Sequence, residues 1–230
     1  MSKFPNKSQR GCKQCEIRGT NIFCGLPDEA LALIEQNKIT NHFKRGQFIF
    51  YAGNTPGGIY CINSGVVKLE TEGSGGNGHI LRVVQGGGIL GYRSLFAEES
   101  YDAAAVVHED AEVCFIPKSS LLALIGMYPD VGIKLLALAS KELRHAEDRL
   151  CAQSDKIASE RVASAVIFLR ENFPTQNWTR KEIAEWAGTT SETVIRTLAD
   201  FESEGLIEQK GRTIHIKDKS ALVQAADLVH

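Results

Sequence analysis

Cysteine is the residue type with the most chemical potential in this sequence. Three of the six cysteines, Cys12, Cys15 and Cys24, fall within the first 24 residues, and Cys114 lies in a later apolar run that reads AEVCFIP. The chain begins MSKFPNKSQRGCKQC, without the apolar core of a signal peptide, so we expect a cytoplasmic protein. In that reducing compartment, cysteines favour metal or redox chemistry over structural disulfides.

A second chemically useful group lies in residues 179–216, TRKEIAEWAGTTSETVIRTLADFESEGLIEQKGRTIHI. Glu192 and Arg196 are four residues apart, so on a helix they lie one above the other. In a DNA major groove, arginine donates two hydrogen bonds to guanine, and a carboxylate accepts one from the cytosine amino group. Two plainer interpretations stay open: a capping interaction of Glu192 with Thr189, and an ordinary surface ion pair. Net charge does not decide between DNA reading and these plainer interpretations, because residues 179–217 hold six Lys/Arg against seven Asp/Glu.

Signals for helix starts and ends surround this pair. Thr179-x-x-Glu182 is typical of a capping box, and Gly188 is placed to end the helix that the box begins. Thr189 or Thr190 offers the N-cap of a second helix. The predicted buried face of that second helix consists of Val194, Leu198 and Phe201.

The remaining elements are predicted from periodicity and glycine spacing. Short β-rich runs such as FIFYAG and GIYCINSG fill residues 39–117, which indicates an antiparallel sandwich or jelly roll, with a hairpin loop at 73–78. A short helix precedes them, from 27 to about 37. Strand-like runs at 206–209 and 213–216 follow the two C-terminal helices, and helix, turn, helix, hairpin is a winged helix-turn-helix. Hydrophobic residues make up 43% of the 230 residues, enough for a packed core, and no apolar run approaches a membrane span.

A long helix is predicted between the roll and the winged domain, from about 119 to 153, with a break near Pro129 and a hinge at Ser154–Asp155. Apolar positions along it step by three and four, as in a coiled-coil seam between two copies of the chain. Packing of the helix on its own domain alone is the alternative. The predicted seam consists of Leu135, Ala139, Leu143, Ala146, Leu150, Gln153 and Ile157.

The predicted fold class is therefore α+β, with an N-terminal antiparallel β-roll, a long dimerisation helix and a C-terminal winged helix-turn-helix. Four segments are expected. They are a cysteine-bearing tail at 1–24, the β-roll sensor domain at 25–118, the dimerisation helix region at 119–154 and the DNA-binding domain at 155–230.

The stretch TRKEIAEWAGTTSETVIRTLADFESEGLI resembles the DNA-binding segment of the CRP–FNR regulators, the cAMP receptor and fumarate–nitrate regulator superfamily. The layout FKRGQFIFYAGN…GIYCINSGVVKL…GGILGYRSLF resembles their cyclic-nucleotide-type β-roll. The recognition helix of that family carries a glutamate and, four residues later, an arginine, as Glu192 and Arg196 do here. The resemblance implies a dimeric, sequence-specific transcription regulator and not an enzyme.

The expected partners follow from the same resemblance: double-stranded DNA with an inverted-repeat site, a second copy of the chain and RNA polymerase, with no membrane. Base and backbone contacts are expected from the second helix, and phosphate contacts from basic residues around it. The expected DNA-contacting residues are Thr190, Ser191, Glu192, Thr193, Arg196, Arg180, Lys181, Lys210 and Arg212.

FNR-type oxygen sensors in this superfamily ligate a [4Fe–4S] cluster with an N-terminal cysteine triplet and one cysteine just before an Ile-Pro at the end of the roll. The resemblance matches those ligands to Cys12, Cys15, Cys24 and Cys114, although eight residues separate Cys15 from Cys24, more than is usual. Three alternatives stay open: zinc on the same thiolates, a redox dithiol at Cys12 and Cys15, and a purely structural Cys114. The two remaining cysteines are expected to be structural: Cys61 and Cys151.

Relatives that bind cAMP carry a glutamate for the ribose and an Arg-Ser pair for the phosphate. The matching positions here are Tyr92, Asp102 and Ala103, and an aspartate repels a cyclic phosphate. The resemblance therefore implies that cAMP is not bound in this way. A regulator that takes another small effector in its roll is the alternative to a cluster sensor, and a thiol-redox protein using Cys12 and Cys15 is the third.

Overall fold

The computed structural model describes residues 11–73 and 78–226. They divide into two compact units: the first holds the described residues up to Thr71 together with Leu81–Glu142, and the second holds Glu72–Ile80 and the chain from Leu143 onward. The hairpin loop predicted at 73–78 falls mainly on 74–77, outside the described residues.

The chain up to the long helix begins with two short 3-10 helices, Cys12–Gln14 and Glu16–Thr20. The elements that follow are α1 (Asp28–Asn37), β1 (Ile39–Phe43), β2 (Phe48–Phe50), β3 (Gly58–Glu72), β4 (Gly78–Gln85), β5 (Ile89–Leu90), α2 (Tyr92–Ala97), β6 (Ala104–Pro117), α3 (Lys118–Met127) and α4 (Asp130–Asp155).

The first unit is an antiparallel roll, which confirms the predicted architecture. Its strands run in the order β1-β6-β3-β4, with β2 paired to β6 and β5 paired to β3. Alternate residues of β3 point to opposite faces. Ile59 and Cys61 join the core that α1 and α3 cover, whereas Ile62 and Val67 fill the interior of the roll. The roll therefore has two apolar faces, and Cys61 belongs to the face under the helices.

The N-terminal segment is not the polar tail that its composition suggested. From Gly11 onward it packs on the roll, because Ile22, Phe23 and Leu26 are buried in the same core cluster as α1. Three apolar side chains in a polar stretch are sufficient to anchor it.

The long helix breaks where predicted: α3 ends at Met127 and α4 begins at Asp130, on either side of Pro129. The predicted hinge residues Ser154 and Asp155 are the last two residues of the helix. The chain leaves the helix at Lys156 and Ile157, where Ile157 is extended. Among the described residues, no single helix is long and apolar enough to cross a membrane.

From Leu143 to Ala226, the second unit is helical except for one hairpin. Its strands pair antiparallel from Ile207↔Ile216 to Lys210↔Thr213, which makes the predicted wing. The elements are α5 (Ala158–Asn172), α6 (Arg180–Ala187), α7 (Ser191–Ser203), β7 (Ile207–Lys210), β8 (Thr213–Ile216) and α8 (Lys219–Ala225).

Candidate functional site

The helix that precedes the candidate recognition helix is fixed at both ends by local motifs. At its start, the backbone N–H of Glu182 donates to Thr179 Oγ1 at 3.1 Å and that of Thr179 donates to Glu182 Oε2 at 3.0 Å. This is the predicted capping box. At its end, Gly188 has φ 62° and ψ 48°, a left-handed conformation that favours glycine. The chain can therefore turn sharply into α7.

The candidate recognition helix α7 is capped by Thr190, whose hydroxyl accepts from the backbone N–H of Thr193 at 3.3 Å. The alternative cap at Thr189 is not used. Hydrogen bonds from its own backbone N–H and from the Thr190 hydroxyl lower the pKa of Glu192, so its side chain is an ionised acceptor. No ion pair joins Glu192 to Arg196 in the part of the chain that the structure describes.

The two faces of α7 differ in burial. Val194, Leu198 and Phe201 are buried, as predicted. Glu192 and Arg196 are exposed on the other side, together with Ile195, whose side chain is 56% exposed. Ile195 was not among the predicted contacts, yet an exposed apolar side chain beside a Glu–Arg pair suits the methyl group of thymine. The outer face of α7 thus offers an acceptor, a donor and an apolar contact.

Around α7, the predicted phosphate-contacting residues are not equally available. Arg180 is engaged inside the unit, where it donates to the Gln209 side chain and, at 3.3 Å, to the carbonyl oxygen of Arg212. Burial lowers its pKa. Lys181 and Lys210 are exposed and form only loose surface pairs with neighbouring glutamates, at 3.6 and 3.2 Å. Arg180 therefore positions the wing, and the lysines are the better candidates for phosphate.

Two acidic residues of this stretch are engaged by protein partners. Glu208 pairs with Lys210 and with Lys217, at 3.2 and 3.0 Å, and these lysines lower its pKa. Glu202 accepts from the backbone N–H of Gln209 at 2.7 Å and from its side chain at 3.0 Å. These two carboxylates therefore bind the wing, which reduces their repulsion of a phosphate backbone.

The turn between α6 and α7 is also held by residues that the sequence analysis missed. Arg161 of α5 donates to the carbonyl oxygens of Ala187 at 3.0 Å and Gly188 at 3.3 Å. Gln153, predicted in the dimer seam, donates to the same Ala187 carbonyl at 3.2 Å. These bonds occupy carbonyls that the end of α6 leaves without helical partners. Sequence offered no signal for them, because the donors lie 26 or more positions away.

A different kind of site lies in the first unit, under the N-terminal segment. Cys61 of β3 lies directly opposite Cys114 of β6, and Cys114 lies opposite Thr40 of β1. Residues paired in this way point to the same face of the sheet. The Cys114 Sγ and Thr40 Oγ1 atoms are 3.5 Å apart, within a hydrogen bond.

Cys12 begins the first 3-10 helix, Cys15 lies between the two, and both approach this row. Cys15 Sγ donates to Asn63 Oδ1, two residues beyond Cys61 on β3, at 3.2 Å. Together these elements enclose a cavity of about 270 Å³ whose wall includes four cysteines, Cys12, Cys15, Cys61 and Cys114. We call it the thiol cavity. Three of the four predicted ligands thus meet there, together with a cysteine that was predicted to be structural.

Cys24 does not line the thiol cavity. Its side chain is exposed, and its backbone carbonyl accepts a hydrogen bond from Lys134 of α4. Cys151 is also exposed, on α4.

Two cationic side chains, Arg18 and Lys38, lie on the wall of the thiol cavity. Burial raises the pKa of Cys12, although Lys38 opposes that effect. Burial also acts to lower the pKa of Lys38, but Cys12 and Cys114 outweigh it and raise that pKa. Burial, with further contributions from the other three thiols, raises the pKa of Cys61 well above its usual value.

The thiol cavity is not a preassembled metal site. Within residues 11–73 and 78–226, no three histidine, cysteine or acidic side chains are already arranged to hold a metal ion. The chemistry of the donor set still suits a thiolate-ligated metal group, because four sulfurs line one cavity. Ligation would require the N-terminal pair of cysteines to approach the pair on the sheet.

The predicted dimer seam is exposed over most of its length, with one correction. Leu143, Leu150 and Ile157 are 60%, 71% and 64% exposed, but Leu135 is buried in the core of the roll. The exposed apolar residue at that turn is Leu136, which restores an interval of seven residues along the helix. Ala139 is half-buried and Ala146 exposed. Sequence spacing could not separate Leu135 from Leu136, since both fit a step of three or four.

The positions that match the cAMP contacts of relatives carry different chemistry. Tyr92 is buried and lies against Glu142, which forms an ion pair with Arg82. Asp102 is exposed, 4.0 Å from Arg93. A groove of about 540 Å³ runs beside them between α2 and the start of α4.

A roll followed by a winged helix-turn-helix with an exposed Glu–Arg face defines a DNA-binding transcription regulator with a sensor-type domain. Two family profiles agree: the Cyclic nucleotide-binding domain matches residues 40–128, and the Crp-like helix-turn-helix domain matches residues 160–225. The chain is 32% identical to the cyclic AMP receptor protein of Thermus thermophilus, over 91% of this chain and 98% of that protein. The chain belongs to the CRP/FNR family of transcription regulators.

Other relatives and structures in the family are similarly complete matches. The fumarate and nitrate reduction regulatory protein of Escherichia coli K12 is 28% identical over 94% of this chain and 90% of its own. The structure of FixK2 from Bradyrhizobium japonicum superimposes with a TM-score of 0.73 and 25% identity, covering 82% of this chain and 96% of that one. These relatives are regulators, which confirms the prediction that the chain is not an enzyme. Proteins of this family bind DNA and form dimers.

Proposed function

We propose that this regulator controls its DNA binding through oxygen or redox state, sensed by a [4Fe–4S] cluster that cysteine thiolates of the thiol cavity hold. The observation that carries the proposal is that Cys12, Cys15 and Cys114 line one cavity. A family relative is named for fumarate and nitrate reduction. The protein acts in the cytoplasm, where its DNA lies.

The chain contributes ligands, charge and shielding to such a site. Cys114 is fixed by the sheet and by Thr40, and Cys12 and Cys15 are carried by the N-terminal segment that covers it. Lys38 offsets the negative charge that several thiolates bring together. When bound, a [4Fe–4S] cluster supplies oxygen-sensitive redox chemistry, and its potential depends on net charge, hydrogen bonds to sulfur and solvent exposure.

We further propose that Glu192 and Arg196 read one G·C pair in each half of an inverted repeat. Their side chains are exposed, unpaired with one another and carried on a helix fixed at both flanks. A two-fold dimer presents two such helices, so the preferred site has matching half-sites. Lys181 and Lys210 contact the DNA phosphates. Dimers bound to DNA contact RNA polymerase.

The dimer forms through the exposed apolar face of α4, in our proposal, and persists whether or not a cluster is bound. Leu136, Leu143 and Leu150 of α4, with Ile157 just beyond its end, are spaced by seven residues, and none of these four positions is acidic. Each buried leucine contributes about 1.5–3 kcal/mol. Sedimentation at micromolar concentration before and after air exposure tests this. A shift to monomer on oxidation contradicts it.

A second candidate function rests on the groove of about 540 Å³ beside α2. In this alternative, a small organic effector binds there and the cysteines are structural. Glu99, Asp102 and Arg93 line the groove, so its two carboxylates exceed its one cation, which favours a neutral or cationic effector over a cyclic phosphate.

The experiment that separates these candidates is purification without air. The cluster sensor is expected to be coloured, to carry about four irons and four sulfides per chain, and to lose them in air. Its affinity for an inverted-repeat site is expected to change at the same time. Colourless protein with one zinc, or an affinity that air does not change, contradicts the cluster.

A further inference from the structure

The fourth ligand of the proposed cluster can be assigned from where the cysteines lie. Cys61 is 5% exposed and forms part of the core cluster against which Cys12 and Cys114 pack. It lies directly across the strand pair from Cys114, on the same face of the sheet. Its sulfur therefore faces the thiol cavity, and two of the four cavity cysteines stand side by side on adjacent strands.

Cys24, by contrast, is held outside the thiol cavity by the residues before it and by its own backbone hydrogen bonds. The two residues before it, Ile22 and Phe23, are each 6% exposed and anchored in the core. Its own N–H donates to the Asn21 carbonyl at 3.1 Å, and its carbonyl accepts from Lys134. Phe23 reaches the wall of the thiol cavity, but the side chain of Cys24 is exposed and is not part of that wall.

We propose that Cys61, and not Cys24, supplies the fourth thiolate, so that the site consists of Cys12, Cys15, Cys61 and Cys114. This inference rests on the proposed function, because it names the ligand set of the same site. Each ligand loses its S–H proton as its sulfur bonds to the metal, so the four thiols together release four protons per chain, in addition to those that the incoming sulfide loses. Metal ligation deprotonates a coordinating thiol outright, which makes even a buried cysteine an effective ligand.

This ligand set has two parts with different freedom. Cys61 and Cys114 are fixed in the sheet by strand pairing, whereas Cys12 lies in a short 3-10 helix and Cys15 in the junction between two such helices. Since no three ligands are already gathered among the described residues, the N-terminal pair moves toward the sheet pair on loading. The eight residues between Cys15 and Cys24, more than the related oxygen sensors have, then place no constraint on the site.

The test uses full-length protein in which single cysteines are replaced: Cys61→Ser, Cys24→Ser, Cys114→Ser and, as a control on an exposed cysteine, Cys151→Ser. Each is reconstituted without air with ferrous and ferric iron in equal amounts and with sulfide, and iron, sulfide and visible absorption are measured. Cys24→Ser and Cys151→Ser are expected to match the unchanged protein. Cys61→Ser and Cys114→Ser are expected to lose the cluster. Loss in Cys24→Ser with retention in Cys61→Ser overturns the inference and leaves the proposed function standing.

A cobalt titration keeps the inference testable if no iron–sulfur cluster forms. The intensity of sulfur-to-cobalt charge-transfer absorption reports the number of thiolates around Co²⁺, and we expect four in the unchanged protein and in Cys24→Ser, but three in Cys61→Ser. Four thiolates without any iron–sulfur uptake overturns the proposed function alone. Binding of neither iron nor cobalt overturns both.

Folding is checked by circular dichroism, since Cys61→Ser places a hydroxyl in the core. Should that variant unfold, Cys61→Ala removes the thiol without adding a polar group, and the same expectations apply to it.

Discussion

Two regions of the molecule position reactive groups in opposite ways: the thiol cavity and the second unit, which we call the winged unit after its hairpin. In the winged unit, Glu192 and Arg196 project into solvent from a helix whose other face forms the core. In the thiol cavity, Cys61 is at once a core residue and a candidate ligand. Recognition and stability can therefore be altered separately in the winged unit, but in the cavity they share the same atoms.

The largest expected effect concerns thiol reactivity in the reduced, metal-free protein. Cys24 is exposed, whereas Cys61 is buried and burial raises its pKa. We expect Cys61 to be alkylated slower than Cys24 by on the order of 10³-fold or more, because it reacts only when the core opens. Timed iodoacetamide labelling with mass spectrometry measures both, and exposed Cys151 is the matched control. Equal rates for Cys61 and Cys24 would show that Cys61 does not belong to the core.

The next effect tests the buried face of α7. Leu198→Ala is expected to lower the free energy of unfolding by about 2–5 kcal/mol, through lost burial and a cavity. Both tryptophans of the chain, Trp178 and Trp186, lie in the second unit, so their fluorescence during urea unfolding reports on that unit. Ile195→Ala, on the exposed face of the same helix, is expected to change stability by no more than about 0.5 kcal/mol. Similar losses of unfolding free energy in both variants would show that stability does not depend on one face of α7 alone.

Arg161 connects the turn between α6 and α7 to α5. Its removal therefore sharpens the comparison between recognition and stability. Arg161→Ala removes hydrogen bonds to the Ala187 and Gly188 carbonyls and is expected to cost about 1.5–3 kcal/mol of stability. DNA affinity is expected to fall as well, because the turn positions α7. Lys219→Ala, which removes an exposed ion pair with Glu171, is the control, with an expected change near zero. An Arg161→Ala protein with unchanged stability and DNA affinity would show that the turn between α6 and α7 keeps its conformation without Arg161.

Base reading is tested by Arg196→Ala. This change is expected to cost about 1–3 kcal/mol of binding per half-site and to relax preference at one base pair, without altering the unfolding curve. Lys210→Ala, on the wing, is expected to weaken specific and random DNA alike. Fluorescence anisotropy on both DNAs at fixed salt separates these outcomes. Equal losses on specific and random DNA for Arg196→Ala would remove its base-reading role.

The smallest effect concerns the capping box of α6. Thr179→Ala leaves the N–H of Glu182 without its side-chain acceptor and is expected to cost about 0.5–2 kcal/mol. Thr179→Ser, which keeps the hydroxyl, is expected to retain most of that stability. Tryptophan fluorescence during urea unfolding measures both, and an unchanged midpoint in Thr179→Ala would show that the cap contributes nothing.

The winged unit was predictable because its information is local. The Thr179–Glu182 box, the turn at Gly188 and the buried stripe of α7 each depend on residues within about four positions of one another. Backbone hydrogen bonding and helical periodicity act over that range, so sequence alone determined these helix boundaries and the exposure of Glu192 and Arg196. The roll was predictable for the same reason, from alternating runs and glycine turns.

Only the tertiary structure decided which cysteines meet. Cys61 and Cys114 are 53 positions apart and become neighbours through the register of β3 and β6, which no local pattern encodes. The sequence grouped Cys24 with Cys12 and Cys15 because they are close along the chain. The burial of Ile22 and Phe23 then turned Cys24 outward. The same limit separated Leu136 from Leu135 on α4, because helical spacing admits both and only packing against the roll buries one of them.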